Sequence, residues 1–243
     1  MTATEELRTK VRAVLEKDPA INLHQYPIRI DVRDDGVLVL EGEVEDIIAK
    51  RLIPHLAATI PEVNNILDRL RIIPSERRGD GAILDSVYEN LTQEPAFKGC
   101  VIRIQGDSRP DAGTASAPES AIGVIEIAVT DGVVILTGWI ESLSHKRLAD
   151  VLAWWARGSV DVDNRLRVVP PEQDTDDEIT DALRMVLEKD PWLDAGQIWT
   201  HTRDRIVVLE GLVHSQEQKH MAECDAWYIL GVHRVANHIQ VRP

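Results

Sequence analysis

Hydrophobic residues along this chain change their spacing in a fixed order. Leu7, Val11 and Val14 recur as they would on one face of a helix. Residues 28 to 32 then alternate between apolar and polar, and a second alternating run follows a tight turn. A second helical stretch and a final alternating segment complete the order. The pattern therefore predicts an α-β-β-α-β unit whose first two strands form a hairpin.

The same order occurs three times. The hexapeptide Val-Leu-Glu-Lys-Asp-Pro at residues 14–19 recurs unchanged at residues 186–191. Ten-residue segments that begin at Asp35, Asp131 and Asp204 align without gaps, and each copy closes with an alternating segment that ends in proline. Because such self-similarity marks one structural unit used repeatedly, the sequence predicts three tandem domains.

The three copies set the expected domain organisation. The first domain is expected at residues 1–74, the second at 78–170 and the third at 174–243. In each copy the β-α-β half should form a right-handed crossover, which places the second helix on one face of a three-stranded mixed sheet. The first helix must share that face, so the predicted fold class is α+β.

Two local differences separate the copies. The second copy carries an insertion at about residues 98–121, in which residues 101–104 are strand-like and the low-complexity stretch 106–120 is expected to be a mobile loop. The third copy has Arg205 in its hairpin turn, where the other two have glycine. A turn of another type is therefore expected in the third copy.

Composition and charge exclude some classes of partner. The chain is 44% hydrophobic and 28% charged, as is usual for a globular protein, and its net charge is −14. No segment is a basic patch, which argues against nucleic acid and, less strongly, against anionic membrane surfaces. The first thirty residues contain no apolar run typical of a signal peptide or membrane span, so a cytoplasmic location is expected.

The strand that carries Asp-Gly-Val-Leu-Val-Leu-Glu-Gly-Glu-Val, together with the α-β-β-α-β order, resembles the BON family, named for bacterial osmotic-stress and nodulation proteins. Gly42, Gly138 and Gly211 fall on the family's signature glycine. A glycine inside a strand lets a helix or a neighbouring backbone come close, so a structural role is expected. The resemblance implies an interaction domain without catalytic residues, one that binds phospholipid in several members and occurs in envelope or stress-response proteins.

The end of the second helix carries aromatic pairs in two copies. Trp154-Trp155 and Trp227-Tyr228 stand where the first copy has alanine and threonine. Adjacent helical residues point about 100° apart, so both members of a pair cannot face one narrow core stripe. One member of each is expected at an interface, either between repeats or, with Arg157 beside it, at a membrane headgroup zone.

The outward side of the sheet also differs between copies. In the first copy it is charged, with Arg29 and Glu41 among its residues. In the other two copies the second strand offers an apolar outer face, which is typical of a contact surface. These apolar residues are Val133, Ile135 and Trp139 in the second copy and Ile206, Val208 and Leu212 in the third.

Residues of the types that bind metals or catalyse reactions form no recognisable site. Five of the eight histidines lie in the third copy, but none stands four residues from another histidine on a helix, and neither cysteine belongs to a Cys-x-x-Cys motif. The sequence has no P-loop, no Gly-x-Gly-x-x-Gly after a strand, no Gly-x-Ser-x-Gly and no His-Glu-x-x-His. We therefore expect no metal, no cofactor and no enzymatic activity.

Three hypotheses for function remain open at this stage. The first is a bacterial binding protein that associates with membrane phospholipid or an envelope partner through the aromatic ends of the second helices. The second is a cytoplasmic scaffold that oligomerises through its apolar sheet faces and presents acidic surface to a protein partner. The third is a sensor of a small ligand or ion, for which no residue marks the site.

Overall fold

The computed structural model describes residues 3–33, 35–106 and 120–242. The chain divides into two units, residues 1–73 and residues 74–243. The first unit holds one α-β-β-α-β domain, and the second unit holds two more that pack against each other. The mixed α/β architecture and its repetition are confirmed, whereas the domain boundaries expected from the repeats stay a prediction.

The first domain follows the predicted order. Its elements are α1 (Ala3–Leu15), β1 (Arg29–Val32), β2 (Val37–Val44), α2 (Ile47–Ala58) and β3 (Asn65–Ile72). Strand β2 is central, antiparallel to β1 and parallel to β3. The parallel pair requires a crossover, which α2 provides.

The second domain adds a strand to this plan. Its elements are α3 (Asp80–Gln93), β4 (Cys100–Ile104), β5 (Gly123–Thr130), β6 (Val133–Ile140), α4 (Leu143–Trp154), β7 (Asp161–Asn164) and β8 (Arg167–Val168). The strand-like segment of the insertion forms β4, which pairs in parallel with the outer edge of β5. The sheet is therefore wider than the three strands expected. The predicted mobile loop falls mostly on residues outside those that the structure describes.

The third domain keeps the plan without the added strand. Its elements are α5 (Asp176–Lys189), β9 (Ile198–Arg203), β10 (Ile206–Val213), α6 (Gln216–Tyr228), β11 (Arg234–Asn237) and β12 (Gln240–Val241). Strand β10 is antiparallel to β9 and parallel to both β11 and β12. Within the described residues, β9 is an edge strand whose one partner is β10.

Each core lies between the helices and one side of the sheet. The central strands bury every second residue, as the alternation predicts. Leu38, Leu40 and Val44 are at most 1% exposed, and their counterparts on the other central strands are also buried. These counterparts are Val134, Leu136, Ile140, Val207, Leu209 and Val213.

The last strand is interrupted in the second and third domains, where one continuous strand was expected. Asn164 accepts a hydrogen bond from the Leu166 amide through Oδ1, and its Nδ2 donates to the Lys146 carbonyl on α4. Asn237 repeats both contacts in the third domain. Asp68 accepts from the Leu70 amide in the same way within the continuous β3, so this contact alone does not break the strand.

The hairpin turn of the third domain corrects an expectation. Asp204 and Arg205 have φ of +51° and +61°, close to the +52° and +75° of Asp131 and Gly132 in the second domain. Both turns therefore have the same backbone conformation, although Arg205 is not glycine. The carboxylate of Asp176, at the start of α5, stabilises the third turn by accepting from the amides of Asp204 at 2.7 Å and Arg205 at 3.0 Å.

Asp80 makes the corresponding contacts in the second domain, at 2.9 and 2.8 Å.

We expect Asp176→Ala to lower the free energy of unfolding by about 2 kcal/mol, because two amides lose a charged acceptor. Chemical denaturation measures the change. Asp177→Ala is the matched control, since Asp177 lies in the same first turn of α5 and is exposed. Equal losses for the two variants would show that helix charge, rather than the turn contact, is responsible.

Candidate functional site

The aromatic residues at the end of the second helices lie where the second and third domains meet. Trp154 and Trp227 are only 6% and 3% exposed. The rings of Trp154 and Tyr228 have centroids 6.0 Å apart and planes inclined by 35°. Trp155 is half-buried and Arg157 is exposed. The structure thus places Trp154 and Trp227 in the interior, and it shows packing between repeats for Trp154 and Tyr228.

A buried guanidinium links the same two domains. Arg147 on α4 is 2% exposed, donates from Nε to the Leu230 carbonyl at 2.8 Å, and forms an ion pair with Asp174. Asp174 also accepts from Arg205 at 2.9 Å. Burial alone would raise the pKa of Asp174, but the hydrogen bonds and charges of the two arginines outweigh it and hold that pKa below its ordinary value. Two further contacts cross here, Lys189 with Glu94 at 2.7 Å and Ser144 with Glu178 at 2.9 Å.

Two buried carboxyl groups lie near the ends of α5 and α6, where α4 of the second domain also ends. Asp225 on α6 is 3% exposed and Asp190, just after α5, is 8% exposed. Asp225 is hydrogen-bonded to Asp190 and to the indole of Trp155, which can only donate. Burial first, and then the charge and hydrogen bond of Asp190, raise the pKa of Asp225 to about 8, although the Trp155 bond opposes the rise. The Asp225–Asp190 pair therefore keeps a proton that an exposed aspartate would have released.

The three signature glycines occupy the same place on the central strand of each domain. Gly42, Gly138 and Gly211 have φ of +148°, +115° and +138°. A Cβ at Gly138 would lie 2.1 Å from the Val124 carbonyl oxygen, and one at Gly211 would lie 2.0 Å from that of Gln197. At Gly42 the nearest atom, the Cα of Ile28, would be 3.2 Å away. In the second domain β5, and in the third the residue just before β9, leaves no room for a side chain.

The outward sides of the sheets differ as the sequence indicated. In the first domain Arg29 and Glu41 are cross-strand partners and form an ion pair at 3.3 Å. In the second domain Val133, Ile135 and Trp139 are half-buried rather than fully exposed. Strands β5 and β4 continue that apolar surface, since Val124 is the register partner of Trp139 and Val101 is the partner of Val124.

The outward side of the third sheet is the most exposed apolar surface of the three. We call it the third outer face. Trp199 is 62% exposed and Ile206 is 38% exposed, with the half-buried Val208 and Leu212 beside them. The face also carries the exposed polar residues His201, Arg203, Glu210, Arg234 and Gln240.

Two exposed tryptophans were not singled out from the sequence. Trp199 is the second residue of β9, and its alternation with the buried Ile198 and Thr200 was a usable signal. Trp192, 71% exposed, lies in the loop after α5, where its carbonyl accepts from the Gln218 side chain at 2.8 Å. No local pattern distinguishes such a loop residue from a buried one.

Charge is unevenly distributed within the third domain. Residues 171–243 contain seven basic and fourteen acidic residues. The strands and hairpin turn, residues 198–213 and 234–242, hold four of the basic and only two of the acidic ones. The sheet side of the domain is therefore weakly basic, while the helices and their loops carry the acidic excess.

Other candidate sites are sparse. In the part of the chain that the structure describes, no three His, Cys, Asp or Glu side chains are grouped closely enough to hold a metal ion. The same residues include no helix that is both long and apolar enough to cross a membrane. The first domain has an open groove of about 600 Å³ between α1 and β1, lined in part by Arg8, Arg12 and Arg29.

The three repeated units match a known domain family. The family model for the BON domain matches residues 3–74, 115–170 and 175–243, which is more than half of the chain. The chain belongs to the BON domain family. The second BON match begins at residue 115 and so omits α3 and β4, because the insertion separates them from the rest of that domain. A comparison with curated protein sequences found no match.

Two solved structures of CdsD, a structural protein of the type III secretion system of Chlamydia trachomatis, are similar to this BON protein. The C-terminal domain of CdsD is 16% identical, with both chains fully covered and a TM-score of 0.25. The second structure is 17% identical, covers 98% of this chain and 93% of its own, and has the same TM-score. Likeness at this level carries no argument about function.

Proposed function

We propose that this BON protein is a non-catalytic binding protein that attaches peripherally to anionic phospholipid through its third outer face. The observation that carries the proposal is the exposure of Trp199 and Ile206 on a sheet surface that also presents Arg203 and Arg234. Indole rings favour the boundary between headgroups and acyl chains, and arginines attract anionic headgroups. The family resemblance to phospholipid-binding domains supports the same role.

The negative net charge does not prevent such attachment. At physiological salt, charges separated by more than about 8 Å of solvent are largely screened. The acidic excess of the third domain lies in its helices and loops, whereas the outer face lies on the opposite side of the sheet. A membrane against that face would therefore meet Arg203 and Arg234 before the acidic helices.

Co-sedimentation with vesicles tests the proposal. We expect the protein to bind vesicles of phosphatidylglycerol and phosphatidylcholine at low salt, and to bind pure phosphatidylcholine less. Trp199→Ala removes the inserting ring and Arg234→Glu reverses one contact charge, so each should weaken binding by about tenfold or more.

Two control variants keep this experiment specific. Arg184→Glu makes the same change in net charge on helix α5 of the same domain, and Arg184 has an exposed side chain. Trp192→Ala removes a tryptophan that is at least as exposed as Trp199 but does not lie on the outer face. Both controls should bind vesicles nearly as wild type does. If Trp192→Ala alone abolished binding, the outer face would not be the contact surface.

A scaffold that oligomerises through apolar sheet faces is the second candidate. The observation in its favour is the apolar centre of the second domain's outward side, formed by Val133, Ile135 and Trp139. Light scattering should then show an oligomer that Trp139→Ala dissociates while vesicle binding is retained. If the protein is a monomer at all concentrations, phospholipid attachment is the better supported of the two functions.

A further inference from the structure

The outer edge of the third sheet is open where the second sheet has an added strand. Strand β4 pairs with β5 in parallel, from Cys100 opposite Gly123 to Ile104 opposite Ile127. Strand β9 is the counterpart of β5, because Ile125 faces Gly138 as Ile198 faces Gly211. In the described residues no strand pairs with β9 on that side.

The backbone of β9 is oriented to accept such a strand. In the second domain the Ile127 carbonyl points toward β4 and accepts from the Gln105 amide at 2.8 Å. Thr200 is the counterpart of Ile127. A two-residue hairpin turn makes Arg203 and Ile206 a hydrogen-bonded pair, so Thr200 and Thr202 direct their backbone groups to the open side.

We infer that the β9 edge binds an extended segment of a partner protein in which apolar and acidic residues alternate. Addition of a strand to an exposed edge is a general mode of peptide recognition, in which the main chain provides affinity and side chains provide specificity. The second domain, with β4 on the corresponding edge, shows that this fold accommodates the extra strand. The inference concerns the edge of the sheet, whereas phospholipid attachment uses its outward face. Arg203 borders both, so Arg203→Glu tests the edge through peptide preference alone.

The alternation follows from the two sides of β9. On the helix side, β4 presents Ile102 and Ile104 opposite Ile125 and Ile127. The corresponding residues of β9, Ile198 and Thr200, are both buried, so the added segment should present apolar residues there. On the outward side, Arg103 of β4 is the partner of Glu126. In β9 the outward side chains next to the edge include His201 and Arg203, which favour acidic cross-strand neighbours.

Fluorescence anisotropy tests the inference with a defined probe. The probe is a labelled eight-residue peptide that alternates glutamate with valine, and a peptide with lysine in place of glutamate is compared with it. We expect the full-length protein to bind the glutamate peptide and to bind the lysine peptide about fivefold more weakly. Hydrogen exchange of Thr200 and Thr202 amides should slow when the glutamate peptide is present.

Two variants distinguish edge pairing from other binding. Thr202→Pro removes an outward amide and should weaken peptide binding by at least about tenfold. It also removes the hydroxyl that accepts from Thr180 at 2.9 Å, so Thr202→Val, which keeps the amide, is its control and should bind the peptide as wild type does. Arg203→Glu leaves the backbone intact and should reverse the preference, so that the lysine peptide binds better. Arg234→Glu, at β11 on the far edge, should leave peptide binding within twofold of wild type while it weakens vesicle binding.

The outcomes separate this inference from the proposed function. Peptide binding that survives Thr202→Pro and keeps its preference in Arg203→Glu would overturn the inference without affecting phospholipid attachment. A dimer that Thr202→Pro dissociates would identify a second copy of this chain as the occupant and would also overturn it. If Trp199→Ala loses vesicle binding while the peptide still slows hydrogen exchange at Thr200, that combination concerns phospholipid attachment only and leaves the peptide site intact.

Discussion

Replacing Gly138 or Gly211 with alanine is expected to unfold the second or third domain. The added Cβ would lie 2.1 Å from the Val124 carbonyl oxygen or 2.0 Å from that of Gln197. Contacts this short force the hairpin strands apart, and both glycines also have a positive φ that a side chain disfavours. We expect each variant to lose at least about 4 kcal/mol of unfolding free energy, the range of the most damaging point mutations.

Gly36→Ala is the matched control for this prediction. Gly36 also has a positive φ, +81°, but a Cβ added there would meet no atom within 4 Å. That variant should lose only about 1 kcal/mol, the cost of the backbone conformation alone. Gly42→Ala should be intermediate, because its nearest contact would be 3.2 Å. Thermal and denaturant unfolding of the four variants gives the ranking, and equal losses at all four positions would refute the close-approach explanation.

Stability of the second unit is expected to fall as pH rises from about 4 to about 8. The ordinary pKa of an aspartate is 3.8, whereas the pKa of Asp225 in the folded protein is about 8. Between these values the folded state holds a proton that the unfolded state has released, so raising the pH favours unfolding. The difference corresponds to a loss on the order of 5 kcal/mol across the window, and stability should level off above it.

Asp225→Asn should remove this dependence. Asparagine can donate to Asp190 and accept from Trp155 without carrying a charge, as protonated aspartate does. The variant should be more stable than wild type at pH 8 and nearly equal to it only below about pH 4. Asp181→Asn, at an exposed position of α5, should change neither value. Urea denaturation across the pH range measures the effect, and wild-type stability that rises toward pH 8 would refute it.

The repeat was readable from sequence because it depends on local patterns. Alternation on β2, β6 and β10 and the glycine within each central strand indicated the sheets and the family. The sequence indicated a strand at residues 101–104 but not its position in the sheet, because a hydrophobic pattern does not identify the sheet edge that a strand joins. The prediction for the turn at Arg205 was wrong for a related reason, since Asp176, twenty-eight residues before Asp204, stabilises that turn.

The candidate site was less predictable, because it depends on which residues the other domain covers. The sequence offered Trp154 and Trp227 as possible contact residues, yet both are buried, and Trp154 packs against Tyr228 of the third domain. Asp225 stands where the other copies have leucine, at Leu56 and Leu152. The sequence therefore marked this acid only as a departure from the repeat. Trp199 was recoverable from the alternation of β9, whereas exposure of Trp192 required the fold.

The most direct test of attachment through the third outer face is quenching of tryptophan fluorescence by brominated phosphatidylcholine in vesicles that contain phosphatidylglycerol. Bromine quenches only rings that reach the acyl chains. We predict strong quenching of the wild-type protein, most of which is lost in Trp199→Phe and kept in Trp154→Phe, because Trp199 is exposed on that face and Trp154 is buried. Quenching that is unchanged in Trp199→Phe would contradict the proposed attachment surface.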